Sequence, residues 1–369
     1  MNGRVIMLLD LDYFFAQVEE TRNPSISDKP VVVCVYSGRS ENSGAVSTAN
    51  YIARRLGVKS GMPIALAKAK LQNVESVFLP VDHSFYEQVS DRIMGILRAY
   101  ADSFEQVGID EAYLDASQRV RGSFGAAAEL AQRMKKEIKV QHCLTCSVGV
   151  GPNKLVAKIA ADSQKPDGLT IVRPEEAVAF LSPLHVSRLI GVGAKTTERM
   201  QALGISTIDD LARYDVQRLI DVFGKNLGLY FHDASAGIDD EPVQERGEAE
   251  SISRISTLKE DTFDLRSILE KTNKLCGEIH AETLQRELSF RTVGITAVMK
   301  DMSVHSRSKS FDSPTNGLEV LEQTVKQLLE KFLSESNIEI RRVGVKVSSL
   351  AKGEKSQKQL TSFIEQPRK

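Results

Sequence analysis

The chain has 369 residues, 41% of them hydrophobic, and a formal net charge of −1 at pH 7. One core does not organise that length, so about two to four domains are expected. No apolar run approaches membrane-spanning length, which excludes a helical membrane protein. The N-terminal apolar run is short and leads straight into Asp10 and Asp12, so no secretory leader is expected and a cytoplasmic protein is.

Residues 5–9, Val-Ile-Met-Leu-Leu, read as a buried strand with Asp10 at its end. Tyr13-Phe14-Phe15 opens a helix, three consecutive aromatics usually fill a core, and Asp12 is expected to cap that helix. An insertion over roughly 14–79 follows. In it Thr48, Tyr51 and Arg54 fall at spacings of three, on one face of an expected helix. Gly44, Ala45 and Gly61 are small residues that turns alone would explain. Phe85, Val89, Ile93, Ile96, Leu97 and Tyr100 mark the next helix face. Short strands around 104–107 and 112–114 flank a turn at 108–110. A second helix carries Ala127, Leu130, Ala131, Met134 and Ile138, and residues 144–151 close the unit as a strand. This order is that of a ferredoxin-like sheet, in which the first strand lies beside the central hairpin. Asp10 and the pair Asp110–Glu111 then share one sheet edge. Three carboxylates converging there repel unless a cation lies between them. Hard oxygen ligands suit Mg²⁺ or Mn²⁺, and two such ions serve phosphoryl transfer.

Two motifs invite rejection. Cys143 and Cys146 have zinc spacing but no second pair, and strand residues three apart face opposite sides, so reduced thiols are expected. Residues 149–154, GVGPNK, lack the gap and ending of an NTPase phosphate loop. From about residue 173 the chain turns helical. IGVGAKTTERMQALGISTIDDL has the form of a helix-hairpin-helix, with Leu189, Leu203, Gly204 and Ile208 at fitting spacings. There Gly191 and Gly193 permit close backbone approach, and the next helix start can donate N–H groups to a DNA phosphate. The polar, acidic stretch 237–250 reads as a tether.

A last domain over 250–350 is expected to hold strands near 251–258, 286–300, 303–311 and 341–349, with helices near 264–284 and 317–335. The four strand segments contain nine basic residues, among them Arg254, Arg291, Arg307, Lys309, Arg341 and Arg342, against one acidic residue. The rest of 250–350 contains six basic and fourteen acidic residues. A basic sheet face lying along phosphates, with acidic helices turned away, explains this sorting.

The segments DLDYFFAQVEE, SGAVSTANYIARRLGVKSGMP, IDEAYLD and SVGVGPNKLVAKIAADSQKPDG resemble, in that order, the signature segments of the Y-family translesion DNA polymerases. The match is nearest to the DNA polymerase IV branch with its archaeal members, and it runs from about residue 4 to 350. It implies an α+β, multidomain right-hand polymerase. The parts are a ferredoxin-like palm (1–13 and 80–172), small fingers (14–79), a helical thumb (173–238), a linker (239–249), an α/β little finger (250–350) and a flexible tail (351–369). The resemblance also implies the roles. Asp10 and Asp110 would bridge two Mg²⁺ ions, Glu111 would hold the ion that activates the primer 3′-hydroxyl, and the Leu11 carbonyl would add a ligand. Tyr13 and Phe14 would border the nucleotide and Phe15 would be the steric gate under its sugar. Thr48, Tyr51, Arg54 and Lys165 would hold the triphosphate. Gly44, Ala45 and Gly61 would thin the roof over the templating base. The implied partners are primer–template DNA and dNTPs, and the implied enzyme is a monomer of low fidelity, without proofreading, that adds dNTPs to a primer 3′ end and extends it past lesions.

In the tail, Gln357, Leu360, Phe363 and Ile364 resemble a sliding-clamp-binding box in which Ile364 replaces the second aromatic. Two other readings use some of the same residues. A two-metal nuclease also needs clustered carboxylates and a helix-hairpin-helix, but not a sugar-facing aromatic or a triphosphate face. A non-catalytic DNA-bound scaffold has no use for intact Asp10, Asp110 and Glu111. A labelled primer would lengthen, shorten or stay unchanged in the three cases.

Overall fold

Strand β1 (Ile6–Leu11) is buried along its whole length, because it sits inside a sheet with apolar partners on both faces. In the computed structural model, which describes residues 3–245, 247 and 249–352, the chain divides into two compact units. One comprises Met1–Val35 and Ala45–Arg246, the other Tyr36–Gly44 and the chain from Gly247 onward.

In the first unit, β2 (Val31–Tyr36), β3 (Gly44–Ala49) and β4 (Val77–Pro80) form a small sheet of order β3-β2-β4. The larger sheet adds β5 (Ser103–Gln106), β6 (Glu111–Asp115), β7 (Cys146–Gly151) and β8 (Leu169–Ile171) to β1, in the order β5-β6-β1-β7-β8. The first four of these strands make the expected ferredoxin-like arrangement, with β1 antiparallel to both β6 and β7. β8 joins β7 in parallel and was not anticipated. Three residues are too few to carry a periodicity.

Alternation along β1 sorts its side chains. Met7, Leu9 and Leu11 pack toward the helices His83–Ala99 and Phe124–His142, while Ile6 and Leu8 pack toward Ala157 and Ala161 of the helix Lys154–Ser163. The helix Phe124–His142 buries the five expected residues. On the helix His83–Ala99 the expected Phe85, Val89, Ile93, Leu97 and Tyr100 all meet the core, and the fully buried stripe, Tyr86, Ser90, Ile93, Met94 and Leu97, is centred about one residue on. Phe14 and Phe15 draw it round by packing on the Tyr86 ring. Thr48 is on β3 rather than on a helix, because Asn50 caps the short helix Tyr51–Arg55. Cys143 is an exposed left-handed residue closing the helix Phe124–His142, and Cys146 is buried on β7, so the two do not share a strand.

Further along, the first helix of the expected helix-hairpin-helix is only one 3₁₀ turn, Val186–Arg188. The second, Ala194–Ala202, starts at Gly193 as expected. Leu189 and Ile208 are buried in this subdomain's core, with Leu203 packed against it. The expected tether proves to be docked over 237–245. Val243 is buried against Ile6, Leu8 and Tyr113. Asp239 Oδ2 accepts from Leu155 N at 2.9 Å, Gly237 O accepts from Asn153 Nδ2 at 2.7 Å, and buried Lys154 pairs with Glu105 and Glu241. One apolar side chain and several backbone acceptors suffice to pin a segment whose composition reads as free coil.

The second unit holds β9 (Ser251–Thr262), β10 (Leu288–Met299), β11 (Val304–Thr315) and β12 (Ile340–Lys352), in sheet order β11-β10-β12-β9, with the helices Leu265–Gln285 and Leu318–Glu335 packed on one face. Register corrects the expected basic face. Arg307 lies opposite Ile295, Lys309 opposite Val293 and Arg254 opposite Val345, all on the helix-packed side. They project at the two sheet edges toward the helices, where Arg254 pairs with Glu282 at 2.5 Å, Arg307 with Glu335 at 3.3 Å, and Lys309 donates to Gln327. Arg341 pairs with Asp261, and Arg291 sits at the irregular step between Phe290 and Thr292. The open face carries Arg342 and Lys346 among Ser, Thr and Gly residues of all four strands. Gln357, Leu360, Phe363 and Ile364 lie outside the described residues.

No helix of the described residues is long and apolar enough to cross a membrane.

Candidate active site

Antiparallel pairing sets Asp10 of β1 directly opposite Glu111 of β6, and Leu11 N donates to Asp110 O at 2.8 Å. The three carboxylates therefore stand side by side, as the sheet order requires. Their convergence on one point is not found: among the described residues no three such side chains close around a metal-sized centre. Two ammonium groups hold two of them instead. Lys165 Nζ lies 2.7 Å from Asp10 Oδ2 and 2.8 Å from Asp162 Oδ1. Lys158 Nζ bonds Glu111 and lies 3.4 Å from Asp10 Oδ2.

Lys158 was not foreseen. Asp10 shares the β1 face of Ile6 and Leu8, which is the face covered by the helix Lys154–Ser163. That helix comes close because Gly149 and Gly151 lack side chains: a Cβ at Gly149 would fall 2.0 Å from Ala157 O, and one at Gly151 2.8 Å from Ala157 N. The signal in the sequence was thus the Gly-x-Gly of β7, read only as a rejected phosphate loop.

Asp110 has its pKa pushed up to about 6, by burial first and then by the charges of Asp10 and Glu111. A carboxylate crowded in this way, in a set made only of oxygen donors, fits a hard divalent cation once the lysines yield. Asp12 does not cap the helix. It is 1% exposed and accepts from Ser147 Oγ, Thr145 Oγ1 and Asp167 N, tying the start of β7 to the loop after Lys165. The helix Phe14–Arg22 begins instead at Tyr13, in the left-handed region (φ 36°), with no side chain capping its first amides.

Asp10, Leu11, Tyr13, Phe14, Phe15, Thr48, Tyr51, Arg54, Asp110 and Lys165, together with Ser47 and Ser60, line one cavity of about 260 Å³. Every residue expected to touch the nucleotide borders it. Phe14 does so although the residue is only 2% exposed and packs in the core. Phe15 stacks on Tyr86 with centroids 4.4 Å apart and planes at 20°, and the Tyr86 phenol donates to Glu19 at 2.8 Å. Arg54 donates from Nε to Ala49 O at 2.8 Å, lies over the Tyr51 ring, and reaches Thr48 Oγ1 at 3.4 Å. Gly61 (φ 79°) and Gly191 (φ 81°) occupy left-handed turns open on the side where a Cβ would stand. Their conformation alone favours glycine.

Residues 9–162 match the family model described as the impB/mucB/samB family, residues 249–362 match that family's C-terminal domain, and residues 187–239 match the thumb domain of DNA polymerase-iota. The chain is 48% identical over 368 residues to DNA polymerase IV 1 of Methanosarcina mazei, covering 98% of this chain and 100% of the relative. It is 45% identical over 365 residues to DNA polymerase IV of Nitrosopumilus maritimus, covering 99% and 100%. A solved Y-family DNA polymerase chimera of Dbh and Dpo4 superposes with a TM-score of 0.89 at 37% identity, covering 95% of this chain and 100% of that one. The chain belongs to the DNA polymerase IV branch of the Y-family DNA polymerases. It is a DNA-directed DNA polymerase of right-hand architecture and of the low-fidelity, translesion kind, and such membership carries a general dependence on divalent metal. The insertion ternary complex of Dbh DNA polymerase is similar at a TM-score of 0.68 and 37% identity, over 93% of this chain and 98% of that one.

Proposed function

We propose that the cavity beside Asp10 and Asp110 is where an incoming dNTP is joined to a primer 3′ end. One observation carries this reading: acidic groups, phosphate-seeking groups and an aromatic wall all line the same cavity. Arg54 and Lys165 supply positive charge, and Thr48 and Tyr51 supply hydroxyl donors, for the β- and γ-phosphate oxygens. The uncapped amides at the start of the helix Phe14–Arg22 add donors beside them. Phe15, backed by Tyr86, has no room to retreat and excludes a 2′-hydroxyl from the sugar position. Asp10, Asp110, Glu111 and the Leu11 carbonyl would hold two Mg²⁺ ions (Mn²⁺ has the same preference for oxygen). When bound, such ions would make the 3′-hydroxyl more acidic and offset charge on the leaving pyrophosphate. Lys158 and Lys165 meanwhile set positive charge against Glu111 and Asp10.

We assign residues 1–13 and 80–172 as palm, 14–79 as fingers, 173–238 as thumb and 250–350 as little finger. We keep residues 239–249 as the linker, its first part docked through Asp239, Glu241 and Val243. Gly191 and Gly193 present the start of the helix Ala194–Ala202 to a DNA phosphate. Arg342 and Lys346 of the open sheet face meet the backbone along the duplex, with Arg254, Arg291, Arg307, Lys309 and Arg341 at its margins. Gln357, Leu360, Phe363 and Ile364 recruit a sliding clamp to a monomeric enzyme working in the cytoplasm. Incubation of the full chain with a labelled primer–template, Mg²⁺ and dNTPs tests the reading. Primer lengthening supports it; shortening would assign a nuclease, and an unchanged primer would reject both.

A further inference from the structure

Behind the cavity wall runs a chain of hydrogen bonds that none of the assigned roles requires. Asn50 is 2% exposed and uses its whole amide. Its Oδ1 accepts from Val31 N at 3.1 Å and Ala53 N at 2.9 Å; its Nδ2 donates to Lys29 O at 2.8 Å and Glu20 Oε1 at 2.7 Å. Capping the helix Tyr51–Arg55 needs only the oxygen. The other end of the amide reaches Glu20, whose second oxygen accepts from the Tyr13 hydroxyl at 3.1 Å. Burial raises the Glu20 pKa, opposed by its bonds to Asn50 and Tyr13. The Tyr13 ring in turn meets Tyr51 edge-on, with centroids 5.2 Å apart and planes at 89°.

The result is a closed circuit, Tyr13–Glu20–Asn50–Tyr51. It links the left-handed residue that opens the helix Phe14–Arg22 to the helix that carries Tyr51 and Arg54. Left-handed tyrosine is a costly conformation that persists only when its surroundings hold it. Here the hydroxyl bond and the edge contact do so. Neither Glu20 nor Asn50 lines the cavity. Resting on the reading of that cavity as the nucleotide site, we propose that Glu20 and Asn50 are positioning residues. They hold the two groups of phosphate donors, the amides after Tyr13 and the side chains of Tyr51 and Arg54, at one fixed spacing, and so set the affinity for the triphosphate.

The test is steady-state insertion of the correct dNTP on a primer–template with Mg²⁺. Glu20→Ala and Asn50→Ser should each raise KM for dNTP about tenfold, the scale of a lost hydrogen bond to a charged group, with kcat within about threefold. Glu20→Gln keeps an acceptor for Asn50 and a donor for the Tyr13 oxygen, and should stay within about twofold of the parent. The double variant should be no worse than either single one, because the two residues act as one unit. Asn50→Ser retains a good N-cap, so it carries the test if Glu20→Ala folds poorly. Arg54→Ala is the control. If it raises KM while Glu20→Ala and Asn50→Ser do not, the positioning role is wrong and the nucleotide site stands. If Arg54→Ala leaves KM unchanged, the reading of the cavity falls and the proposal with it. A loss of thermal stability and kcat with unchanged KM, not rescued by Glu20→Gln, would reduce the pair to a structural role.

Discussion

Phe15 stands face to face on Tyr86, and Tyr86 is fixed from behind by Glu19. Removing the ring should open the sugar position without disturbing its support. Phe15→Ala is therefore expected to raise ribonucleotide insertion on the order of a hundredfold, with deoxynucleotide insertion changed far less, since a site that excludes by a clash loses only the clash. Parallel insertion assays with one rNTP and one dNTP check it, and unchanged selectivity would return Phe15 to the core. Asp110 gives a prediction with a sign. Its pKa in the fold, about 6, is above the ordinary aspartate value, so ionising it at neutral pH costs the metal-free protein stability. Asp110→Asn should then stabilise the metal-free chain at pH 8 by on the order of 2 kcal/mol. The gain should fade as pH drops from about 6 toward the ordinary aspartate value and vanish below about 3, where Asp110 is neutral in the folded and unfolded chain alike; urea melts across that range measure it. Asp10 and Asp110–Glu111 could be seen in the sequence because a carboxylate ending an apolar run is a poor core residue. Asp12 could not be placed the same way, since its burial depends on Thr145 and Ser147, more than a hundred residues away.

At the scale of elements, β7 and the helix Lys154–Ser163 determine where Lys158 stands. Gly149→Ala would drive a Cβ to 2.0 Å from a helix carbonyl, and nothing flexible is there to yield. The expected cost is about 3 kcal/mol, through displacement of the whole helix, and chemical denaturation of the single variant checks it. The order β1, helix, β5, β6, helix, β7 could be read directly, because periods of 2 and 3.6 change cleanly between those elements, whereas the short strands β2–β4 and β8 could not. What failed were features decided by single contacts between distant elements. Asn50 ends the expected helix before Thr48, Tyr86 turns the helix His83–Ala99 toward Phe15, and Val243 docks a stretch whose composition reads as coil. The charge sorting of the last domain could likewise be seen, but not its meaning. Register alone shows that Arg254, Arg307 and Lys309 lie on the helix side of the sheet, paired or hydrogen-bonded to helix residues.

For the whole molecule, that register predicts how duplex binding responds to salt. Arg342→Ala with Lys346→Ala should flatten the slope of log Kd against log salt by nearly two, about 0.9 per released counterion. Arg254→Ala with Arg307→Ala should change it by less than about one, because their charges are already met by Glu282 and Glu335. Equal effects of the two pairs would restore a uniformly basic face. The overall account depends most on the claim that Asp10, Asp110 and Glu111 are the chemical centre of a template-directed polymerase. Primer extension by Asp110→Ala, measured beside its primer–template affinity, addresses that claim most directly. The account predicts extension reduced by about a thousandfold or more, with binding within about twofold of the parent, since the phosphate contacts assigned to Gly191, Gly193, Arg342 and Lys346 lie elsewhere. Substantial nucleotide addition by this variant would contradict it.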